Sequence, residues 1–339
     1  MIPTIEWVNN KVKMIDQTLL PHKLIFLELD NYRDVAKSIE IMNIRGAPAI
    51  GVAAAMGMAL ATLEYKDLPK ESFLKEMEKA ADIIRKTRPT ASNLFWAIKR
   101  IWNIISSYPD NPSNLSELVI EEVKLMAQED VTVNKNIGKN GSTLLDDGDI
   151  VLTHCNAGSL ATVQYGTALA PIRAAIEQGK NISIIADETR PRLQGARLTA
   201  YELQYDKIPV NVISDTSSGL LMRLRKINKV IVGTDRVTSD AVFNKIGTYL
   251  VALAAKDNNI PFYVAAPTST LSLHETIKDV TIEQRDSKEV CNVLGQVQIV
   301  PDGVECLNYA FDITPFRLVS AIITEDGVYS PNELLEKYK

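Results

Sequence analysis

The chain has 339 residues, of which 46% are hydrophobic and 23% are charged. This length and composition are typical of a globular protein with a large core, and they predict two domains. The net charge of −5 excludes a general electrostatic attraction to nucleic acids or to anionic membranes, so neither is expected as a partner.

The first third of the sequence is mainly helical in pattern. Two short extended stretches, near residues 5–8 and 24–29, come first. Helix-length segments follow near residues 32–42, 48–64, 70–86, 90–107 and 114–138. We predict a mainly helical amino-terminal domain over residues 1–125, with a break between its last two helices at residues 108–112.

The longest apolar run, residues 47–62, lies in the second of these helical segments. It is shorter than the ~20 residues that a membrane helix needs, and it is rich in alanine and glycine. We therefore predict a buried helix that packs closely against its neighbours. A membrane span is the alternative.

From residue 149 onward, short β-branched runs alternate with helix-length segments. The runs lie at 150–152, 182–186, 210–213, 229–232 and 261–265, with helical segments near 159–178, 192–205, 217–227 and 245–258. This alternation predicts an α/β domain over residues 126–339, with a parallel, doubly wound, Rossmann-like sheet. The runs are almost entirely apolar, as in strands that are covered on both faces.

Polar side chains follow each of the five predicted strands. In chain order they are His154 and Cys155; Asp187, Glu188, Thr189 and Arg190; Ser214 and Asp215; Thr234, Asp235 and Arg236; and Thr268 and Ser269, after Pro267. Because ligands of open α/β sheets bind at the carboxyl edge of the strands, we expect these side chains to line one crevice. A structural protein does not need charge at that edge, so the pattern predicts an active site.

Cys155 is the most distinctive of these residues. It lies in the segment T-H-C-N-A-G (153–158), between the first predicted strand and the predicted helix at 159–178. A helix start offers free N–H groups and a dipole that favour a thiolate. We therefore predict a reactive cysteine; the alternative is the buried, inert thiol that a lone cysteine often is.

Asp235 follows the fourth predicted strand in G-T-D-R-V (233–237). Facing Cys155 across the crevice, a buried Asp235 could transfer protons. A salt bridge to Arg236 is the alternative and would suppress that chemistry. Asn244 and Lys245 come a few residues later, where we predict a helix start that presents an amide and an ammonium group to a substrate.

Two arginine motifs precede predicted helix starts in the amino-terminal domain. Arg45, Gly46 and Ala47 open the buried helix in R-G-A-P-A-I-G, where small residues allow close approach of a ligand. The free N–H groups of the helix start and the Arg45 guanidinium suit a phosphate. Arg88 precedes the fourth helix in R-P-T-A-S-N-L. A tight packing turn and an ordinary helix start with an exposed arginine are the respective alternatives.

The segment at 187–197 (D-E-T-R-P-R-L-Q-G-A-R) holds three arginines and two acids. A surface loop tied by ion pairs is one interpretation. The position of the loop beyond a strand end favours contact with a ligand, with Gln194 available to hydrogen-bond a hydroxyl group.

No metal site is predicted, because the three histidines (22, 154, 274) and the three cysteines (155, 291, 306) lack metal-ligand spacing. The cysteine pattern also argues against a disulfide framework and favours a reducing, cytoplasmic location. The first residues lack the basic and apolar segments of a signal peptide. His154 and Cys155 are neighbours on a strand and project to opposite sides, which argues against a Cys–His dyad.

Taken in order, the motifs resemble those of methylthioribose-1-phosphate isomerases, the aldose–ketose isomerases of methionine salvage. The shared segments are I-R-G-A-P-A-I-G (44–51), R-P-T (88–90), T-H-C-N-A-G (153–158), E-T-R-P (188–191), L-Q-G-A-R-L-T (193–199), G-T-D-R (233–236), N-K-I-G-T (244–248) and A-F-D-I-T-P (310–315). The resemblance spans nearly the whole chain. It implies a small helical amino-terminal domain, a Rossmann-like carboxyl-terminal domain and a homodimer, with no metal and no organic cofactor.

The resemblance also implies the roles of individual residues. Catalysis falls on Cys155 and Asp235, and substrate binding on Arg45, Gly46, Ala47, Arg88, Gln194, Asn244 and Lys245. In the implied reaction the sugar ring opens and a hydrogen moves from C2 to C1. Asp235 would exchange protons with the ring oxygen and O2. Cys155 would act at C1 and C2, as the base of an enediolate path or as a group that stabilises a hydride shift.

Four features depart from the family pattern: Thr234 replaces a common alanine, the segment 236–243 is short, the segment 215–219 differs, and Tyr309 replaces a common proline. These loops could contact the C5 substituent of the sugar. Isomerases of ribose 1,5-bisphosphate or 5-deoxyribose 1-phosphate are therefore alternatives, as is a non-catalytic regulatory subunit similar to those of translation initiation factor 2B. The presence of both Cys155 and Asp235 favours an enzyme, and Pro48 favours the methylthioribose group.

Overall fold

The structure is a computed structural model that describes residues 1–89, 91–108 and 112–338. It divides into two compact units. The helical unit comprises residues 2–132 and 159–164, and the sheet unit comprises Met1, residues 133–158 and the residues from 165 onward.

The helical unit begins with an antiparallel sheet of three strands, β1 (Ile5–Val8), β2 (Lys11–Ile15) and β3 (Phe26–Leu29). Five helices follow: α1 (Tyr32–Glu40), α2 (Ala47–Tyr65), α3 (Lys70–Thr87), α4 (Ser92–Ser107) and α5 (Leu115–Gly141), the last of which continues into the sheet unit. All five predicted helices are confirmed. Strand β2 was not predicted, and residues 109–111 of the predicted break lie outside the described residues.

Helix α2 is the centre of the helical unit. Its residues from Ala49 to Thr62 are all buried, and it packs against α1, α3 and α4. Alanines and glycines give it a thin cross-section that lets three helices surround it. Of the described helices, α2 is the one that is long and apolar enough to cross a membrane, but 78% of that apolar window is buried inside the structure. The prediction of a buried helix is confirmed.

The sheet unit alternates strands and helices. Its elements are β4 (Ile150–Thr153), α6 (Ala170–Glu177), β5 (Ser183–Asp187), α7 (Ala200–Tyr205), β6 (Val210–Ile213), α8 (Ser218–Arg223), β7 (Lys229–Val232), β8 (Arg236–Val237), β9 (Ala241–Lys245), α9 (Thr248–Asp257), β10 (Phe262–Ala265), α10 (Lys288–Cys291), β11 (Asn292–Val293), β12 (Val297–Gln298), β13 (Phe311–Pro315), β14 (Ala321–Thr324), β15 (Gly327–Tyr329) and α11 (Pro331–Tyr338).

Seven of these strands form one sheet in the order β6-β5-β4-β7-β10-β14-β15. The first six are parallel and β15 is antiparallel. Counted from β4 along the chain, the parallel strands have the order 3-2-1-4-5-6, which is that of the Rossmann fold. The α/β prediction with a mostly parallel sheet is confirmed, and the five predicted strands are all present. The order reverses between β4 and β7, and ligands of such sheets bind at that point.

The predicted helix at 159–178 is only partly present. A 3₁₀ turn spans Ser159–Ala161, and the α-helix α6 begins at Ala170. Between them Tyr165 and Gly166 have φ angles of 80° and 85°, in the left-handed region that no α-helix contains. The sequence predicted that Cys155 lies at the start of an α-helix, and this prediction was wrong.

Cys291 and Cys306 form a disulfide, so the expectation against a disulfide framework does not hold for this pair. The two residues are 15 positions apart in sequence, and the fold brings their Cα atoms to 6.4 Å, within the range that a disulfide bridges. The bond closes a loop that contains the β11–β12 hairpin. Cys155 is the free cysteine of the described chain.

Candidate active site

The site is built on the two strands between which the sheet order reverses. Strands β4 and β7 are paired neighbours. Cys155 follows β4 by two residues and Asp235 follows β7 by three. The two segments touch, since a Cβ atom on Gly233 would lie 2.5 Å from the Cβ of Ala157. The fold therefore brings the cysteine and the aspartate to one edge of the sheet, as the sequence predicted.

Cys155 has an unusual backbone. Its φ angle is 69°, in the left-handed region that few residues other than glycine occupy. Its N–H group donates to Thr189 Oγ1 over 2.9 Å, and its carbonyl accepts from Thr199 Oγ1 over 2.8 Å. Both threonines are fully buried, whereas Cys155 is partly exposed. Side-chain hydroxyl groups thus hold the backbone of the cysteine.

Asp235 lies at the entrance of a β-hairpin. Its N–H group donates to the carbonyl of Phe243 over 2.9 Å, and the next residue, Arg236, pairs with Phe243 in the β8–β9 ladder. Asp235 therefore lies opposite Asn244. Arg236 forms an ion pair with Glu275 at 2.9 Å.

Asn244 and Lys245 end strand β9 and do not start a helix, so this part of the prediction was wrong. Helix α9 begins at Thr248, after Gly247 at φ 104°. Both side chains are buried. Asn244 Nδ2 donates to Thr248 Oγ1, and Lys245 Nζ donates to the carbonyl of Ala310 and lies over a phenylalanine ring. Pairing on both sides, with β8 and with β13, explains why this segment is a strand.

Asp312 lies next to the predicted binding residue Asn244 and was not singled out from the sequence. It pairs with Asn244 between β13 and β9. Its Oδ2 accepts the N–H groups of Gly247 and Tyr249 at the start of α9, while Oδ1 is buried without a partner among the described residues. Burial raises the pKa of Asp312 to about 6, although these N–H groups, His154 and Lys245 oppose the shift. The sequence signal for it was the motif A-F-D-I-T-P.

His154 is part of a buried network beside Cys155. Its Nδ1 lies 2.9 Å from Asp187 Oδ2 and its Nε2 lies 2.8 Å from the carbonyl of Ile246. Burial lowers the pKa of His154, but the hydrogen bond and charge of Asp187 outweigh it, and the pKa is raised above its ordinary value. Because both ring nitrogens have these partners, the geometry agrees with the prediction against a Cys–His dyad.

His154, Asp187 and Asp215 could also be considered as a metal site, because their ligand atoms lie within 4.8 Å of one another. The sequence spacing did not indicate this cluster. Its atoms already have hydrogen-bond partners: the Asp215 carboxylate accepts the N–H groups of Thr189 and Arg190 at 2.7 Å each, and Ser218 donates to Asp187. We interpret the cluster as a hydrogen-bonded network that shapes the loop after β5.

The loop after β5 combines both interpretations offered for it. Arg192 forms an ion pair with Glu289, and Arg190 donates to the carbonyl of Val290, as expected for a loop tied by its charges. Gln194, by contrast, is buried, and its Oε1 has no partner among the described residues. A buried amide oxygen without a partner is costly, and a hydroxyl donor from a ligand would satisfy it.

The remaining predicted binding residues, Arg45, Gly46, Ala47 and Arg88, lie in the helical unit. Gly46 precedes α2 at φ 93°, and a Cβ atom there would lie 2.4 Å from the carbonyl oxygen of Ala161 in the same unit, so glycine is required. Arg88 directly follows α3, and α4 begins at Ser92. Thr90 of the same motif lies outside the described residues.

Comparison with known proteins identifies relatives along the whole chain. The model of the initiation factor 2 subunit family matches residues 43–331. The methylthioribose-1-phosphate isomerase of Thermosipho africanus is 52% identical over 97% of this chain and 95% of its own length. The crystal structure of 5-methylthioribose 1-phosphate isomerase from Pyrococcus horikoshii is 40% identical over 99% and 95% of the two chains, with a TM-score of 0.94. The structure of translation initiation factor eIF-2B subunit delta from A. fulgidus is 46% identical over 100% of both chains, with a TM-score of 0.91.

Proposed function

The chain belongs to the initiation factor 2 subunit family and to the methylthioribose-1-phosphate isomerases within it, and on this basis we propose that it converts 5-methylthioribose 1-phosphate to 5-methylthioribulose 1-phosphate in methionine salvage. The reaction is an aldose–ketose isomerisation. The observation that carries this proposal is the placement of a free cysteine and an aspartate on neighbouring strands where the sheet order reverses.

Asp235 transfers protons in the proposed mechanism. The substrate carries its phosphate on O1, so the ring opens by cleavage of the bond between C1 and the ring oxygen. Asp235 donates a proton to that oxygen as the bond breaks. It takes the proton of O2 as the C2 carbonyl forms, so the carboxyl group ends in its starting state. The hairpin that holds Asp235 opposite Asn244 fixes its backbone for both steps.

Cys155 acts at C1 and C2 in one of two ways. As a thiolate base it removes the C2 proton, generates an enediol and returns a proton to C1. Alternatively the hydrogen moves from C2 to C1 as a hydride, and the cysteine stabilises the charge that develops between them. A substrate deuterated at C2 separates the two. A hydride shift retains the deuterium at C1. A thiolate base takes up the deuterium and loses it to solvent whenever the thiol exchanges with water faster than it returns the deuterium to C1.

Substrate binding is assigned to the other predicted residues. The Arg45 and Arg88 guanidinium groups bind the phosphate, and Gly46 and Ala47 offer backbone N–H groups at the start of α2. Gln194 accepts a hydrogen bond from a sugar hydroxyl group through Oε1, for which the described part of the chain offers no partner. Asn244 and Lys245 provide an amide and an ammonium group on the strand opposite Asp235. In this proposal the amino-terminal domain contributes the phosphate-binding residues.

A regulatory subunit is the second candidate, because the A. fulgidus relative is named as translation initiation factor eIF-2B subunit delta. A regulatory role does not require a free cysteine and an aspartate at the same sheet edge. Turnover of a phosphosugar therefore separates the two candidates.

The test is an NMR assay of the purified protein with three substrates in parallel: 5-methylthioribose 1-phosphate, ribose 1,5-bisphosphate and 5-deoxyribose 1-phosphate. We expect the C2 carbonyl signal of the ketose to appear fastest with the methylthio sugar. Preference for either other sugar would correct the substrate assignment. No turnover of any of them would favour the regulatory subunit.

We also propose a homodimer. Helices α8 and α9 pack on each other. Leu220 of α8, Leu224 directly after α8 and Leu250 of α9 are 61%, 56% and 68% exposed. Large exposed apolar side chains are common at subunit interfaces, and these three belong to or adjoin two helices that pack on each other. Light scattering should give a dimer mass for the wild type and a monomer mass for Leu250→Glu.

A cytoplasmic location is proposed with the function, since the substrate is a phosphorylated sugar. The disulfide between Cys291 and Cys306 is unusual for a reducing compartment. Alkylation of thiols in freshly lysed cells, followed by peptide mass spectrometry, measures whether this pair is oxidised in the cell.

A further inference from the structure

The backbone of Cys155 is held from both sides by hydroxyl groups that lie far away in sequence. At φ 69° the residue does not continue β4, which ends at Thr153, and it belongs to none of the strands of the described residues. Thr189 accepts the N–H group and Thr199 donates to the carbonyl. The φ angle sets the direction in which the Cα–Cβ bond, and so the thiol, leaves the backbone.

The direction of the Thr199 hydrogen bond is fixed by its neighbours. Asn156 Nδ2 donates to Thr199 Oγ1 over 3.1 Å and to Glu202 Oε1 over 2.7 Å. The Glu202 carboxylate is paired with the buried Arg173 and accepts only, so the amide nitrogen of Asn156 must face it. The Thr199 oxygen therefore accepts from Asn156, and its single hydroxyl proton points at the carbonyl of Cys155.

Thr189 makes the matching contact on the other side. Its hydroxyl group donates its one proton to the carbonyl of Asp187 over 3.1 Å. The Thr189 oxygen therefore accepts the N–H group of Cys155. Thr189 itself has φ 65°, a rare conformation for a β-branched residue. The Asp215 carboxylate, which accepts the N–H groups of Thr189 and Arg190, holds the turn.

We propose that Thr199 is a positioning residue for catalysis: its hydroxyl group holds Cys155 in the left-handed conformation that directs the thiol at the reacting carbons. The role follows from the hydrogen bond and does not require contact with substrate. The expected effect of Thr199 on kcat rests on the proposed isomerase function. The conformational part stands on the geometry of the two threonines.

The experiment compares Thr199→Val, which removes the hydroxyl at nearly constant volume, with Thr199→Ser, which keeps it. We expect Thr199→Val to lower kcat about 10²-fold with little change in KM, as for a displaced catalytic group. Thr199→Ser should stay within about fourfold of the wild type, the effect of one buried methyl group. Thr62→Val is the control, because Thr62 is equally buried and donates to the carbonyl of Ala59 in the helical unit.

The second measurement does not depend on turnover. In protein labelled with ¹³C-cysteine, the Cα and Cβ shifts of Cys155, assigned by their loss in Cys155→Ser, report its backbone conformation. They should move in Thr199→Val and remain in Thr199→Ser and Thr62→Val. If the wild type does not isomerise the methylthio sugar, these shifts still test the positioning.

The remaining outcomes contradict the proposal. Unchanged shifts in a folded Thr199→Val protein would show that the hydroxyl does not hold Cys155. Moved shifts with normal kcat would show that the conformation does not matter for catalysis. Equal losses in Thr199→Val and Thr199→Ser would assign the effect to packing. Should Thr199→Val not fold, Thr199→Ala makes the same comparison without a branched side chain.

Discussion

The two proposed catalytic residues lie on neighbouring strands but are held in different ways. Asp235 enters a regular hairpin, and its N–H group belongs to the same hydrogen-bond ladder as the residues after it. Cys155 leaves its strand with a left-handed backbone, and its two backbone groups bond to the side chains of Thr189 and Thr199. A ladder tolerates many side chains, whereas each of the two hydroxyl contacts depends on one residue.

Mutations should therefore act differently on the two sides. On the Asp235 side, changes of side chains near the aspartate should leave its backbone in place, because adjacent backbone hydrogen bonds maintain it. On the Cys155 side, small changes in the loop after β5 or in the following helical turn should displace the cysteine. Substitutions on each side test this difference.

The largest effect is expected for Gly195→Ala. Gly195 begins the π-helical turn Gly195–Thr199 that carries Thr199, and a Cβ atom there would lie 1.7 Å from the carbonyl oxygen of Asp187. The turn must move away from the strand end, so we expect the free energy of unfolding to fall by roughly 3–5 kcal/mol. Urea denaturation measures this loss.

Gly219→Ala is the matched control for that experiment. Gly219 lies in α8, and the nearest heavy atom would be 3.7 Å from the new Cβ, an ordinary contact. We expect no loss of stability and a gain of up to about 1 kcal/mol from helix propensity. Equal stabilities of the two variants would show that the turn at Gly195 is free to move and does not hold the Cys155 side in place.

The next prediction concerns the pH dependence of stability on the Asp235 side. Asp312 pairs with Asn244, the residue opposite Asp235, so its ionisation affects the small sheet that holds Asp235. The pKa of Asp312, about 6 in the folded protein, exceeds the ordinary value of about 3.9. The folded state therefore holds the proton more tightly, and stability falls as pH rises from 4 to 7. Between pH 4 and pH 7, the free energy of unfolding of the wild type should fall by roughly 2–3 kcal/mol relative to that of Asp312→Asn.

Urea denaturation of both proteins at pH 4 and pH 7 makes the comparison. The asparagine variant lacks the titrating group, so the groups common to both proteins cancel in the difference. A difference that is the same at both pH values would contradict a buried, titrating Asp312.

The smallest effect is expected for Thr234→Ala, next to Asp235. The Thr234 hydroxyl lies 2.8 Å and 2.9 Å from the carbonyls of Arg236 and Phe243, and the backbone ladder spans the same residues. We expect a loss of at most about 1 kcal/mol in unfolding free energy. The kcat should stay within about threefold, in contrast to Thr199→Val. A loss of kcat as large as for Thr199→Val would remove the distinction between the two sides.

Much of the fold was predictable because its signals are local. The five helices of the helical unit were expected near their observed positions, and so were strands β4, β5, β6, β7 and β10. Runs of apolar residues with helical or strand spacing indicate such elements without knowledge of distant partners. Cys155 and Asp235 were singled out because both follow such strands. The chain topology then places them on neighbouring strands.

The features that the sequence did not predict depend on contacts between distant residues. Thr189 and Thr199 lie 34 and 44 positions from Cys155. Thr189 was expected to line the crevice, but nothing in the local pattern indicates that either hydroxyl group bonds to the backbone of Cys155. The strand at Asn244 and Lys245 depends on pairing with β13, which lies near residue 313. The disulfide depends on a bend that brings Cys291 to Cys306. In each case tertiary contacts determined the outcome and the local sequence pattern did not.

The most direct test of the proposed isomerase mechanism is the rate of ketose formation from 5-methylthioribose 1-phosphate by the wild type, Cys155→Ser and Asp235→Asn. Asp240→Asn is the matched control, because this carboxylate lies on the same hairpin and accepts from Thr238 and Ile277. We predict turnover by the wild type and the control, and a loss of at least about 10³-fold in both site variants, as for residues of a catalytic pair. Retention of turnover by either Cys155→Ser or Asp235→Asn would contradict the proposed mechanism.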